Sequence, residues 1–450
     1  MNRPVFSAAA RLLAIALGLG AIAAQAADAP ASPADAIRSQ TLDNGMKVVV
    51  WPDHDIPNVA LYVWYRAGGR NEYPGITGIA HYFEHMMFNG TATRAPGEFD
   101  RVMEANGGSN NAYTSSDVTV YQDWFPASTL ELIFDLEADR MANLSFDPKV
   151  VESERGVVYS ERRLRVDNDT FGALFEQVNA THWLAHPYQF PVIGWPSDIE
   201  NWTMEDLKTF YRTYYAPNNA TMFVVGDVDP DAVFALAKEK IGKIPAQEPP
   251  QKIRTVEPKQ LGERRLSVRK EDAQTPLLLM AWHAFDAGHA DTPALELLLD
   301  VLAQGDSSRL NQKLVENDPV AVNIGAYLHA GFDPGAAYLY AVLAPDADPA
   351  KVEAAIDAEL ARIIEQGVTP AELEKARNNK LAGFWRSQST ISGKAQALGT
   401  YEVFHGDYRK LFDAPGAYDA IDADTLRRVA TEVFRSDNRT VGVLLPTAAQ

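Results

Sequence analysis

Apolar and polar positions change period several times along the chain, and each change predicts an element. Asn44-Gly45 reads as a turn, and Met46-Lys47-Val48-Val49-Val50 after it as a strand. Alternation from Pro57 to Trp64 predicts a second strand, ending at Ala67-Gly68-Gly69. From Gly78 to Phe88 the apolar residues fall at helical spacing, with a glycine lead-in and no proline. Pro96 opens another helix, which stops at Asn106-Gly107-Gly108. Two paired strands are expected over 109–114 and 118–124, then an amphipathic helix from Leu130 to Leu144. Asp147-Pro148 begins a helix that runs to about Val166. Thr203 with Asp206 three residues later marks one more helix start, Thr221 to Gly226 a strand, and Pro230 to Ile241 a helix.

The same grammar then restarts. Arg265 to Val268 and Thr275 to Ala281 read as strands, the second ending near Ala287-Gly288. A shift of about 220 residues lays Pro57 on Pro276, Asp147-Pro148 on Thr369-Pro370 and Arg155 on Arg377, an internal repeat of one α+β domain. The polar residues do not repeat. Glu154 falls on Ala376 and Glu161 on Gly383, while aligning Gly90 on Gly305 sets Glu296, Leu299 and Asp300 against His81, Glu84 and His85.

A chain of 450 residues suits two domains. They are expected over 37–245 and 263–450, joined by a Pro-, Gln- and Lys-rich linker over 246–262. Residues 1–26 read as a secretory signal peptide. Arg3 and Arg11 make a basic start, Leu12 to Ala24 an apolar run, and Ala24-Gln25-Ala26 a cleavage site. The run is too short to span a bilayer comfortably, and no later segment reaches that length. Export with no cysteine points to a soluble periplasmic protein without disulfides or a thiol nucleophile. The net charge of −19 argues against nucleic acid as a partner.

Candidate chemistry sits in His81-Tyr82-Phe83-Glu84-His85. Two histidines four apart leave one helical face and can chelate one metal ion, usually zinc, with Glu84 beside them. The spelling H-x-x-E-H is the inverted zinc-peptidase helix. A catalytic zinc wants a third protein ligand and an open position. Glu154 and Glu161, seven apart, share one face of their helix, and local chemistry alone does not choose between them. G-x-S-x-G and P-loop patterns are absent.

The chain resembles the M16 family of zinc peptidases, which includes pitrilysin, insulin-degrading enzyme and the mitochondrial processing peptidase. The matching residues are Asp43-Asn44-Gly45, His81 to Thr91, Gly107-Gly108-Ser109-Asn110-Asn111-Ala112-Tyr113-Thr114, Glu154-Arg155-Gly156-Val157-Val158 with Glu161, and His186-Pro187-Tyr188. The resemblance implies two tandem α+β domains, each a mostly antiparallel sheet with helices on one face, making half of a clamshell. It implies one zinc on His81, His85 and Glu161, Glu154 behind them in support, and Glu84 as general base. It further implies a substrate peptide paired along Asn111-Ala112-Tyr113, with Phe88 lining the apolar floor. The second half resembles the family's inactive repeat. Complete sites in the family also use an Arg and a Tyr from an inactive repeat, and here Asp318 and Val322 stand in those places. A second M16-like subunit bringing that pair is therefore expected, with a homodimer as the other assembly. The competing function is that of a non-catalytic core or binding subunit of a periplasmic complex.

Overall fold

The computed structural model describes residues 33–447, so the expected signal peptide lies outside the described residues. The first half of the chain runs β1 (Arg38–Thr41), β2 (Lys47–Pro52), β3 (Asn58–Tyr65), α1 (Ile79–Met86), α2 (Glu98–Ala105), β4 (Ser109–Thr114) and β5 (Thr119–Pro126). It continues through α3 (Leu130–Asn143), α4 (Pro148–Arg162), α5 (Thr170–His182), α6 (Pro196–Asn201), α7 (Met204–Tyr214), β6 (Ala220–Gly226) and α8 (Pro230–Leu236). The second half begins with β7 (Arg264–Lys270), β8 (Leu277–His283), α9 (Thr292–Ala303), α10 (Arg309–Asn311), β9 (Ala321–His329) and β10 (Ala336–Leu343). It closes with α11 (Pro349–Gln366), α12 (Pro370–Ser387), α13 (Ile391–His405), α14 (Ala414–Asp419), α15 (Ala423–Val433) and β11 (Arg439–Pro446).

Each half builds its own sheet. The first is ordered β1-β2-β6-β3-β5-β4 and the second β7-β11-β8-β10-β9. Only β2 with β6 and β7 with β11 are parallel; every other neighbouring pair is antiparallel. The two orders superimpose once β1 is set aside, with β4 and β9 both at an edge. Helix starts repeat as well. Asp147 caps α4 by accepting from the Lys149 N–H at 2.8 Å, and Thr369 with Glu372 forms a capping box on α12; both helices carry Pro at the first turn. Arg155 donates to the carbonyls of Ile199 and Trp202, as Arg377 does to those of Tyr418 and Ile421.

Helices of each half bury their apolar stripes on one face of that half's sheet. In the first half Phe83, Met86, Phe134, Val151, Val158 and Phe210 pack over Val48, Val63 and Tyr121. The opposite face is covered from across the molecule. Ile391, Ala395 and Leu398 of α13 lie on Val49, Trp64 and Phe223 of the first sheet. Leu174 and Val178 of α5, a helix not foreseen from the residue pattern, lie on Leu277, Leu279 and Leu444 of the second. Asp169 accepts from the Gly172 N–H and Thr390 from the Gly393 N–H, so the two exchanged helices also open alike. Apolar burial on both faces of both sheets is what makes the two halves one body.

Candidate functional site

α1 is pinned before it presents any chemistry. Gly78, at its N-terminus, has φ 86°, and a Cβ there would meet the Ile193 carbonyl oxygen at 2.5 Å. The buried Glu72 carboxylate accepts from the N–H groups of Gly78 (2.7 Å) and Ala80 (2.8 Å), filling donors the helix leaves free. Tyr82 donates to the Val151 carbonyl of α4, and the Tyr121 hydroxyl of β5 donates to the Phe83 carbonyl. Ile79, Ala80, Tyr82, Phe83 and Met86 are buried, which turns Glu84 and His85 toward a cleft, with His81 buried beside them.

Three donor atoms from two helices converge there. His81 Nε2 lies 3.5 Å and His85 Nε2 3.4 Å from Glu161 Oε2, and all three atoms fall within 4.8 Å of one another. Both separations are longer than a good hydrogen bond. They match the edges of a tetrahedron about zinc, about 3.4 Å for bonds of roughly 2.0–2.1 Å. Two imidazoles and a carboxylate are also the donor set zinc favours, so the residues fit that ion.

The surroundings orient these donors. Glu154 Oε1 meets His85 Nδ1 at 2.8 Å, leaving Nε2 to face Glu161, and Asn89 donates to the other Glu154 oxygen at 2.9 Å. His81 has no such support: its Nδ1 is buried without a partner. The electrostatics are correspondingly uneven. Burial, then the charge of His85, holds His81 down to about 4. Burial opposes the charge on His85 too, but its hydrogen bond to Glu154 and the nearby Glu161 carboxylate prevail and lift it to about 9. The His85 imidazole first, and His81 after it, hold Glu161 below the usual carboxylate range.

Glu84 stands beside the cluster and accepts from the Thr114 hydroxyl of β4 at 2.7 Å. Burial raises its pKa, against that hydrogen bond. The cleft, of about 350 Å³, is lined by Glu84, His85, Phe88, Asn111, Ala112 and Glu154, among others. Phe88 forms its apolar floor, packed on Phe99 and Tyr121 above the buried Arg140 guanidinium. Asn111 and Ala112 belong to edge strand β4, which pairs only with β5. Tyr113 turns away: its hydroxyl accepts from Gln396 of α13 at 2.9 Å, on the far face of the sheet. By strand alternation Asn111 shares that far face, so these two expected residues offer the cleft their main chain rather than their side chains. Asn89, Thr114 and Glu72 are supports that pattern reading did not assign, since nothing in their spacing marks them.

The arrangement can hold one divalent cation beside a carboxylate base and an open strand edge. Comparisons with known proteins identify the family. Residues 47–194 match the family model described as insulinase (peptidase family M16), and residues 201–380 the one described as peptidase M16 inactive domain. A Helicobacter pylori protein named zinc protease PqqE is 32% identical, over 91% of this chain and 92% of its own length. The crystal structure of a protease from Helicobacter pylori superimposes with a TM-score of 0.87 at 32% identity, covering 91% of this chain and 99% of that one. The periplasmic protease PqqL of Escherichia coli shares the fold at a TM-score of 0.76 and 20% identity, with 92% of this chain matching 48% of that one.

Proposed function

The chain belongs to the M16 family of zinc peptidases, and from that membership we propose that it hydrolyses peptide bonds in peptides or unfolded segments. His81, His85 and Glu161 hold the zinc ion, one per chain, and Glu84 is the general base. The convergence of those three donors beside Glu84 carries the reading. A zinc ion there supplies a Lewis acid that polarises the scissile carbonyl and brings the pKa of a bound water toward about 7.

The remaining work belongs to the chain's own residues. Glu84, its carboxyl steadied by Thr114, accepts the proton of the attacking water and returns it to the leaving amine. Glu154 keeps His85 in the tautomer that frees Nε2. The open edge of β4 along Asn111-Ala112-Tyr113 takes an extended peptide by main-chain hydrogen bonds, which asks little of its sequence. Phe88 receives an apolar side chain next to the cleavage point.

Oxyanion donors come from elsewhere. Asp318 carries no donor when ionised, and Val322, 63% exposed on β9, has no polar side-chain atom. A second M16-like subunit therefore supplies an Arg/Tyr pair, with a homodimer as the alternative assembly. The signal-like pattern of residues 1–26 supports a periplasmic location for the enzyme. No helix among the described residues is long and apolar enough to cross a membrane.

The test is turnover of an unstructured peptide by the chain, alone and co-expressed with a candidate M16-like partner. Cleavage that a chelator abolishes and zinc restores is expected, faster with the partner. Binding without turnover in every combination would instead make the chain a non-catalytic subunit. Full activity of the chain alone as a monomer would remove the partner.

A further inference from the structure

β4 is touched from the second half at two places, and both lie next to the chemistry. Strand alternation sets Ala112 and Thr114 toward α1, and Asn111 and Tyr113 toward α13. On that far face Gln396 donates to the Tyr113 hydroxyl at 2.9 Å and accepts from Gln122 Nε2 at 3.3 Å, so one side chain spans both strands of the β4–β5 pair. α13 comes this near because residue 399 is glycine: a Cβ there would sit 2.2 Å from the Trp64 ring, against which Tyr113 also packs.

The second contact is at the end of the hairpin. The turn after β4 carries Asp117, which is buried and accepts from the Tyr188 hydroxyl at 2.7 Å and the Phe332 N–H at 3.4 Å. Phe332 and Asp333 come from the turn joining β9 to β10. The Asp333 carboxylate meets the Arg70 guanidinium and, at 3.1 Å, His186 Nε2. Arg70 in turn lies 3.4 Å from Asp117. A Cβ on Gly331 would fall 2.2 Å from the Tyr188 hydroxyl, so this turn is seated as closely as backbone allows.

Thr114, which donates to Glu84, lies between these two anchors. An edge strand is held on one side only and belongs to the less stable parts of a sheet. A strand that must be straight before a peptide arrives loses affinity if binding has to order it. A base displaced by about 1 Å can lose on the order of a hundredfold in rate. We propose that Gln396 and Asp333, from the half that holds no metal-binding pattern, are positioning residues that fix β4 and, through Thr114, the Glu84 carboxyl.

Because the brace serves the peptidase reading, its first test needs no turnover. Amide hydrogen exchange over residues 109–118 is compared in the wild-type chain, Gln396→Leu and Asp333→Asn, with zinc content measured alongside. Exchange in that segment is expected to rise about tenfold in each variant, the size of one or two lost hydrogen bonds. Exchange over 47–52 in β2 and the zinc content are expected to stay as in wild type. If the wild-type chain cleaves peptides, KM should rise several-fold and kcat fall less, and Gln396→Glu, whose carboxylate accepts from both Tyr113 and Gln122, should recover most of both. Unchanged exchange over 109–118 would overturn the brace, as would a loss of zinc or of β2 protection together with it, because that pattern is general unfolding. A wild-type chain that cleaves nothing, alone or with an M16-like partner, would instead defeat the peptidase reading, while the exchange pattern still decides the brace.

Discussion

At the place where the first half gathers His81, His85 and Glu161, the second half gathers Glu296, Asp300 and Lys380. Glu296 and Asp300 are four apart on α9, as the histidines are on α1, and Lys380 reaches them from α12 at 3.7 and 3.6 Å. The Tyr418 hydroxyl also donates to Glu296. The two sites share helices, spacing and an adjacent edge strand, but one gathers a donor set that could hold a cation and the other supplies its own. A lysine ammonium shared between two carboxylates offsets part of their charge without offering an open coordination position. Sheet order, capping and helix anchoring repeat between the halves, whereas the metal chemistry rests on a handful of side chains.

Substitutions on the metal side should have the largest effects. Glu84→Gln keeps the shape and removes the base, so kcat on a peptide should fall about 10²–10⁴-fold with zinc content unchanged. Retained turnover would take Glu84 out of the mechanism. Glu154→Gln leaves His85 without its carboxylate partner, and zinc affinity, read by competition with a chromogenic chelator, should drop about 10–100-fold.

A smaller effect belongs to the joint between the halves. His182 of α5 stacks on His283 of β8 with ring centroids 3.8 Å apart. Burial first, then its charged neighbours, holds His182 well below its ordinary range, and burial holds His283 down to about 4. Each imidazole is neutral in the fold and takes a proton once unfolded. The stability each contributes is therefore complete above the ordinary value of 6.5 and is lost as pH falls below it, for His283 toward about 4. The urea midpoint should be lower at pH 5 than at pH 7, and the gap should narrow in His283→Leu. The smallest change is expected in the second half's own cluster. Lys380→Met leaves Glu296 and Asp300 uncompensated but part-exposed, so stability should fall by about 1 kcal/mol. Zinc content and peptide turnover should not move, and a loss of zinc there would break the contrast between the halves.

How much of this was legible beforehand follows from how local each signal is. The two histidines and Glu84 of α1 sit within five residues, and spacing alone put them on one face. The helix carrying Glu154 and Glu161 was legible from Asp147-Pro148, but both acids share its face, and local chemistry left the choice open. The structure sets Glu161 at the donor cluster and Glu154 behind His85. The exchange of α5 and α13 was not legible. Leu174 and Val178 make sense as a buried stripe only against Leu277 and Leu279, a hundred residues on, and no window of sequence contains both. The direction of Tyr113 was hidden for the same reason: alternation separates it from Thr114 without saying which face holds the chemistry.

Metal analysis of the purified chain and two variants tests the central claim most directly. One zinc per chain in the wild type, its loss in Glu161→Ala and its weakened retention in Glu154→Ala are the predicted results. Zinc kept at full stoichiometry in Glu161→Ala but stripped in Glu154→Ala would contradict the assignment.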